Sequence, residues 1–561
     1  MRTLHALFLL LVVPLALVDR AMGQTAPATY WVRFTDKMHT PYSILQPEAF
    51  LSPRALQRRT AQGIPVDELD LPVDPAYIQS LLQAGAFQLH TVSKWFNSVT
   101  IRSTDTLALD TLDQLPFVAE VRSMRPGDPD RPSQEEKWPA MAPTAKSLYH
   151  DSYYGASFRQ FSIMNAHLLH ERGQARGEGM LIGILDSGFL GADSLPAFAE
   201  LRQRGGIIRT LDVVCPGCDL YREHWHGRSV LSVMAGVIPG KLRGTAPNAD
   251  YVLIRTEDTG SEYPVEEDNW IRGAEYADSL GCDVLNTSLG YSTFDDPSMD
   301  HSYADLDGAT VRISIAAGIA SRKGMIPVQS AGNSGSSAWR YITAAADAID
   351  ILAVGAVNAD RQVAAFSSRG PSADGRVKPD VCAIGAGTIG LGFDGYDIAS
   401  INGTSFSAPL VCGAVACLWQ LHPDKNAQAI MDAVRRSASH AENPDDSLGY
   451  GIPDFWRAHL LLGGQDLTSL QAPRFFNVHP VPFSDHFNLE VFAGEATTIR
   501  LQLHDAFGRT VLERIIPIEP QVYQRIRIDD HGIGGLPNGT YILQATMNGR
   551  AEITQRLIKA P

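Results

Sequence analysis

The most uniform hydrophobic stretch in the chain follows Asn402-Gly403-Thr404-Ser405-Phe406-Ser407-Ala408-Pro409 and runs to about Leu421. Leu410, Val411, Ala414, Val415, Ala416 and Leu418 make it apolar on every face, which predicts a buried helix. Upstream, short apolar runs at Ile182–Leu185, Tyr251–Arg255, Asp283–Thr287, Ile326–Ser330 and Ile351–Val354 predict buried strands, with a helix over Pro264–Leu280 between two of them. Strands alternating with helices predict an α/β unit built on a doubly wound parallel sheet. The first of these runs ends in Asp186-Ser187-Gly188, which places an acid at a strand's carboxyl end, where open α/β sheets put their ligands.

The pattern differs at both ends. Residues 24–145 hold Tyr30-Trp31-Val32-Arg33-Phe34, an amphipathic basic helix over Leu51–Arg59, Ser93–Ile101 and Phe117–Val121, a small α+β unit with its own core. From about Gln471 the period drops to two. Ile499, Leu501 and Leu503 alternate with Arg500, Gln502 and His504, and Ile526, Ile528, Tyr541 and Leu543 continue the alternation, as a C-terminal β-sandwich over 472–561 requires. Residues 146–464 form the central unit between them.

Composition narrows the function classes. With 44% hydrophobic and 19% charged residues, the 561-residue chain can bury a large core. A net charge of −15 argues against a nucleic-acid partner, because phosphate binding needs a basic face. Arg2, the apolar run Ala6–Val18 and the small residues Ala21 and Gly23 predict a signal peptide over 1–23, with no transmembrane anchor in the mature chain. The proline- and charge-rich stretch Pro126–Lys146 predicts an exposed linker open to proteolytic cutting. All six cysteines fall in the central unit; Cys215-Pro216-Gly217-Cys218 suggests a disulfide loop rather than a metal site, and Cys412 and Cys417 suggest buried thiols.

Three residues carry candidate chemistry in the order Asp186, His226, Ser405. A serine hydroxyl is a poor nucleophile until an imidazole takes its proton and a carboxylate orients that imidazole. Ser405 at a helix start is also a natural N-cap, and this octapeptide alone does not choose between the two roles. The order disfavours an α/β-hydrolase esterase, which runs Ser, Asp, His through Gly-x-Ser-x-Gly; here Ser407 holds the place of the second glycine.

Over Tyr153–Leu462 the chain resembles the subtilisin-like (subtilase) serine peptidases. The resemblance is carried by Asp186-Ser187-Gly188, His226-Gly227, Ser330-Ala331-Gly332-Asn333-Ser334-Gly335, Phe366–Pro371 with Lys378-Pro379-Asp380-Val381, and Gly403–Pro409. It implies a subtilisin-like fold and a serine endopeptidase acting on polypeptides, with Asp186, His226 and Ser405 catalytic. It also implies Asn333 in the oxyanion hole and Ser288, Leu289, Gly290, Ala331 and Gly332 lining the substrate cleft. On residues alone Asn333 is equally a turn asparagine beside glycines. The N-terminal unit is similar to subtilase propeptides, which implies a zymogen whose propeptide is an intramolecular inhibitor. No metal ligand is implied; structural calcium is common in the family, without a ligand set that maps onto this chain. His479–Phe483, Asp505-x-x-Gly508-Arg509 and Gly539-Thr540-Tyr541 resemble the sorting domain of type IX secretion, which implies secretion machinery as a partner and a secreted or cell-surface location. One departure stands out: Arg228 follows His-Gly where the family usually has threonine, and a cation in this first helical turn opposes the helix dipole and, if close, disfavours protonating His226, unless the side chain swings to solvent or meets an acid. That departure also motivates the rival reading, an inactive subtilase serving as a surface peptide-binding module. His224, without a following glycine, is read as a surface or loop residue.

Overall fold

The computed structural model describes residues 28–105, 109, 111–125, 141–142, 151–464, 473–520, 522–529, 532–549 and 551–560. The expected signal peptide and most of the linker after Arg125 lie outside the described residues.

The central unit is built on seven parallel strands in the spatial order Val381–Ile384, Leu352–Val357, Ile326–Ser330, Val284–Thr287, Leu181–Asp186, Asp250–Arg255, Ile207–Asp212. Five of these match the apolar runs of the sequence. The two edge strands do not stand out in it, because Ile207–Asp212 is half exposed and Val381–Ile384 is only four residues long. Both faces of the inner strands are covered, so alternate residues enter two different cores. Ile182, Ile184 and Leu253 pack with the Ser405 helix (Thr404–Leu421) and the His226 helix (His226–Ala235). Leu185, Val252 and Ile254 pack with Val265–Leu280 and Arg312–Arg322 on the other face.

The Ser405 helix is the pillar of the first core. Phe406, Leu410, Val411, Val415 and Leu418 are fully buried, each contributing about 1.5–3 kcal/mol over exposure. Among the described residues it is the one helix long and apolar enough to cross a membrane, and 89% of it is buried inside the fold. Gly413 is required midway along it, since a Cβ there would stand 2.0 Å from Thr245 Oγ1.

The N-terminal unit is a four-stranded antiparallel sheet, ordered Gln88–Ser93, Ser98–Ser103, Ala28–Phe34, Val118–Arg125, with helices Pro53–Gln62 and Pro75–Gln83. It sits against Val265–Leu280 and Arg312–Arg322 through charge as much as through apolar contact. Asp278 receives Arg58 at 2.6 Å, Arg59 at 2.9 Å and Lys94 at 3.1 Å. Glu275 accepts the N–H groups of Lys94 and Trp95 and the Ser93 hydroxyl. The basic helix therefore spends its charge at a buried interface. Burial alone would raise the Asp278 carboxyl, but Lys94, Arg58 and Arg59 hold it well below the ordinary carboxylate range. A depressed folded-state value means the contact is in place above the ordinary carboxylate pKa and is lost only as pH falls through the depressed one, so acidification to about pH 5 leaves this anchor intact. Asp278→Ala removes the carboxylate that three cations share, leaving Arg59 with Asp70 and Lys94 with the Ser279 hydroxyl, and is expected to cost roughly 3–5 kcal/mol. Urea unfolding of the full chain, carrying Ser405→Ala to keep it in one piece, measures the loss.

The C-terminal unit has two antiparallel sheets, of three and four strands, around one core that includes Phe487, Leu489, Ile499, Leu501, Leu503, Tyr541 and Leu543. The inward residues are those that the period-two pattern picks out. This unit meets the central one through Arg159–Glu519 at 2.9 Å and Arg361 donating to the Pro520 carbonyl at 2.7 Å.

Candidate active site

Asp186 ends its strand, and His226 opens the helix that crosses behind that strand's end. Gly227 makes the approach feasible: a Cβ there would lie 2.4 Å from Gly188 O and 2.8 Å from Asp186 Cβ. His226 Nδ1 and Asp186 Oδ1 are 2.8 Å apart, and both side chains are fully buried. The same Oδ1 accepts the Ser187 N–H at 2.8 Å and the Ser187 hydroxyl at 3.1 Å. The Ser187 of the Asp-Ser-Gly motif is thus a clamp on the carboxylate, a role its place in the motif permits but does not specify. His224 is a half-buried loop residue; its Nδ1 lies 3.1 Å from Ser187 Oγ and 3.4 Å from the His226 amide nitrogen.

Ser405 is the second residue of its helix. Its hydroxyl donates to the Ser288 carbonyl at 3.2 Å, and the Ser288 hydroxyl donates back to the Ser405 carbonyl at 2.8 Å. The next residue, Phe406, lays its ring 5.5 Å from the His226 ring centroid, so the start of the Ser405 helix and the imidazole are neighbours. Asn333 is exposed, and its Oδ1 accepts both the Thr404 N–H (2.9 Å) and the Thr404 hydroxyl (3.0 Å). That fixes the carboxamide by its oxygen and leaves the NH2 end as the donor side. Gly332 precedes it at φ +104°, a backbone that suits glycine.

The expected cleft residues fall into two groups. Gly290 is exposed, whereas Ser288 and Leu289 are buried, with the Leu289 carbonyl accepting from the Gln329 and Ser330 side chains. Ala331 is fully buried; its N–H donates to Val354 O and its carbonyl accepts from Thr343 N–H.

Arg228 reaches neither solvent nor an acid. Its side chain is buried and donates to the carbonyls of Gly392 (2.6 Å), Phe393 (3.0 Å) and Leu190 (3.5 Å). Burial brings its guanidinium down to about 10, with nearby Asp394 acting in the opposite direction. It holds the loop at Gly392 and Phe393.

Cys215 and Cys218 are joined, and Cys282, Cys382, Cys412 and Cys417 are buried thiols. For metals, Glu257, Glu262 and Glu266 bring ligand atoms within 4.8 Å of one another. Tyr291 donates to Glu257, and Glu266 accepts the N–H groups of Asp258 and Tyr263, so two of the three carboxylates are engaged in hydrogen bonds within the protein.

Comparison with known families identifies two of the chain's units. Residues 177–451 match the model of the subtilase family of peptidases, and residues 29–138 match that of the peptidase S8 propeptide domain of Bacteroidota. The chain carries a subtilase-family domain preceded by a subtilase propeptide domain. The parallel sheet and its covering helices are accordingly a subtilisin-like fold. Among curated proteins, the chain is 24% identical over 461 residues to the membrane-bound transcription factor site-1 protease of Homo sapiens, covering 74% of this chain and 40% of that one. It is 30% identical over 286 residues to subtilisin E of Bacillus subtilis, covering 50% of this chain and 66% of that one. The chain thus spans about two fifths of the length of the first of these relatives. Of solved structures, MycP1 from Mycobacterium smegmatis aligns with a TM-score of 0.43 at 20% identity, covering 59% of this subtilase-containing chain and 90% of its own.

Proposed function

We propose that the chain is a serine endopeptidase made as a zymogen, with Ser405 attacking the scissile carbonyl of a polypeptide. His226 takes the hydroxyl proton and returns it to the leaving amine, and Asp186 holds the imidazole and stabilises its protonated form. Attack requires the Ser405 hydroxyl to turn from the Ser288 carbonyl toward His226. The developing oxyanion is met by the Asn333 NH2 and the Ser405 N–H, at a helix start where negative charge is favoured. The observation that carries this reading is the buried Asp186–His226 pair at 2.8 Å beside the start of the Ser405 helix. Asn333→Ala is expected to lower kcat by about 10²–10³ with KM little changed, the size known for this deletion in a subtilisin; steady-state kinetics on one peptide substrate measure it.

The N-terminal unit acts in this reading as the intramolecular inhibitor, released by cutting within the linker. The inactive-module alternative rested on Arg228, and that side chain is engaged by the loop it holds. Export completes the reading: the signal sequence carries the chain across the inner membrane, and the C-terminal unit carries it across the outer membrane by the type IX route. The chain from Gln24 is expressed beside its Ser405→Ala variant and weighed. The parent should lose its N-terminal unit and the variant should stay intact; equal cutting of both assigns maturation to another protease. Fractionation of a producing cell tests export, with the processed chain expected at the surface or in the medium.

A further inference from the structure

The hairpin of Ala386–Leu391 and Ile398–Asn402 leads directly into Gly403 and Ser405. The free edge of Ile398–Asn402 is met by Met141–Ala142 in antiparallel pairing, Met141 opposite Ile401 and Ala142 opposite Ser400. A chain laid on this edge in that direction runs away from Ser405 toward the hairpin tip, residues 392–397.

The tip, Gly392-Phe393-Asp394-Gly395-Tyr396-Asp397, exposes two aromatic rings among glycines and aspartates. Phe393 is 56% exposed and Tyr396 is 68% exposed. The Phe393 ring stands edge-on to Trp225, with centroids 4.5 Å apart, and Trp225 is the residue before His226. Trp225 is buried, so it forms a floor and Phe393 a wall. The shelf is fixed in place. Arg228 binds the Gly392 and Phe393 carbonyls, Ser229 Oγ donates to Leu391 O at 2.9 Å, and Leu391 N–H donates to Ser232 Oγ at 2.9 Å. Gly395, at φ +76°, packs so closely that a Cβ there would lie 2.9 Å from Arg228 Nη1. Three residues in the first two turns of the His226 helix therefore anchor the hairpin that carries the shelf.

We propose that the Trp225–Phe393 shelf receives an apolar side chain of the substrate on the leaving-group side of the cut, while the substrate backbone adds a strand to Ile398–Asn402. This rests on the serine-peptidase reading above. The imidazole gives its proton to the departing amine, so the departing half of the substrate lies on the His226 side, where the shelf is. Strand addition to an open edge supplies backbone hydrogen bonds, with side-chain pockets supplying selectivity. The Met141–Ala142 pairing shows that this edge accepts a chain in the required direction. The occupant is the polypeptide substrate itself, downstream of the scissile bond.

The test uses the processed full chain. A panel of tetrapeptide p-nitroanilides, which have no residue after the cut, first establishes hydrolysis and selects the acyl half. Internally quenched peptides then carry that half with Leu, Phe, Gly or Asp after the cut. The parent should prefer Leu and Phe over Gly and Asp by about 10-fold in kcat/KM, the lower end of what an apolar pocket contact gives. Taken as a ratio within each enzyme, so that general changes in activity cancel, the preference should fall to about 2-fold or less in Phe393→Ala. It should persist in Phe393→Leu. A flat profile in the parent, or a preference surviving in Phe393→Ala, overturns the proposal while anilide hydrolysis leaves the serine-peptidase reading standing. Absence of anilide hydrolysis overturns both.

Discussion

Ser405→Ala is expected to lower kcat on a peptide substrate by about 10⁶-fold, the size known for loss of the nucleophile in a subtilisin. The reason is local. The hydroxyl is the one group placed to form the acyl-enzyme, and removing it leaves the Asn333 amide and the buried imidazole with no attacking atom to serve. Folding should not suffer. The helix carrying Ser405 is held by Phe406, Leu410, Val411 and Val415 in the core, and the hydroxyl contributes one bond to Ser288, typically about 1 kcal/mol. Kinetics at matched protein concentration, on both proteins freed of the N-terminal unit by an added protease, with the melting temperature as control, separate the two effects. A variant that keeps measurable turnover at the parent's level would move the nucleophile elsewhere.

Asp186→Asn is expected to lose less than the roughly 10⁴-fold seen where this change traps the histidine in the wrong tautomer. In this chain Asp186 Oδ1 accepts three donors at once: His226 Nδ1, the Ser187 N–H and the Ser187 hydroxyl. An asparagine placed here keeps its oxygen at that point, because an NH2 there would face two donors. The imidazole then retains an acceptor for Nδ1–H and the correct tautomer, and what is lost is the charge that stabilises the imidazolium. Asp186→Ala removes orientation and charge together and should approach the roughly 3 × 10⁴-fold loss known for the carboxylate in a subtilisin. Measuring kcat for both variants checks the order: Asn well above Ala if Ser187 is the clamp, the two alike if it is not.

The parts of the structure that were legible in the sequence are those where local chemistry permits few residues. The inner strands read as unbroken apolar runs because both their faces are covered. The Ser405 helix, expected to about Leu421, ends there. His-Gly is forced by the close approach of Gly227 to Asp186. What stayed hidden depended on partners far along the chain. The hairpin-tip acceptors of Arg228 lie 164 and 165 residues away, so its charge read as a threat to His226 when it is a tether for the hairpin tip. The basic helix at Leu51–Arg59 showed its charge but not its partner, Asp278, more than 200 residues on. Ser187 and Thr404 sit inside quoted motifs, yet only geometry reveals that one clamps Asp186 and the other turns Asn333. The edge strand Ile207–Asp212 escaped because a half-exposed edge need not be apolar.

The most direct test of the central claim is covalent labelling of the processed protein with a fluorophosphonate, followed by peptide mapping. With the N-terminal unit of both variants removed by an added protease that cuts the linker, the account predicts one adduct on Ser405, absent in Ser405→Ala and slowed by orders of magnitude in His226→Ala, since the hydroxyl reacts only when the imidazole takes its proton. Processed protein that takes no label, or labels equally fast without His226, would contradict it.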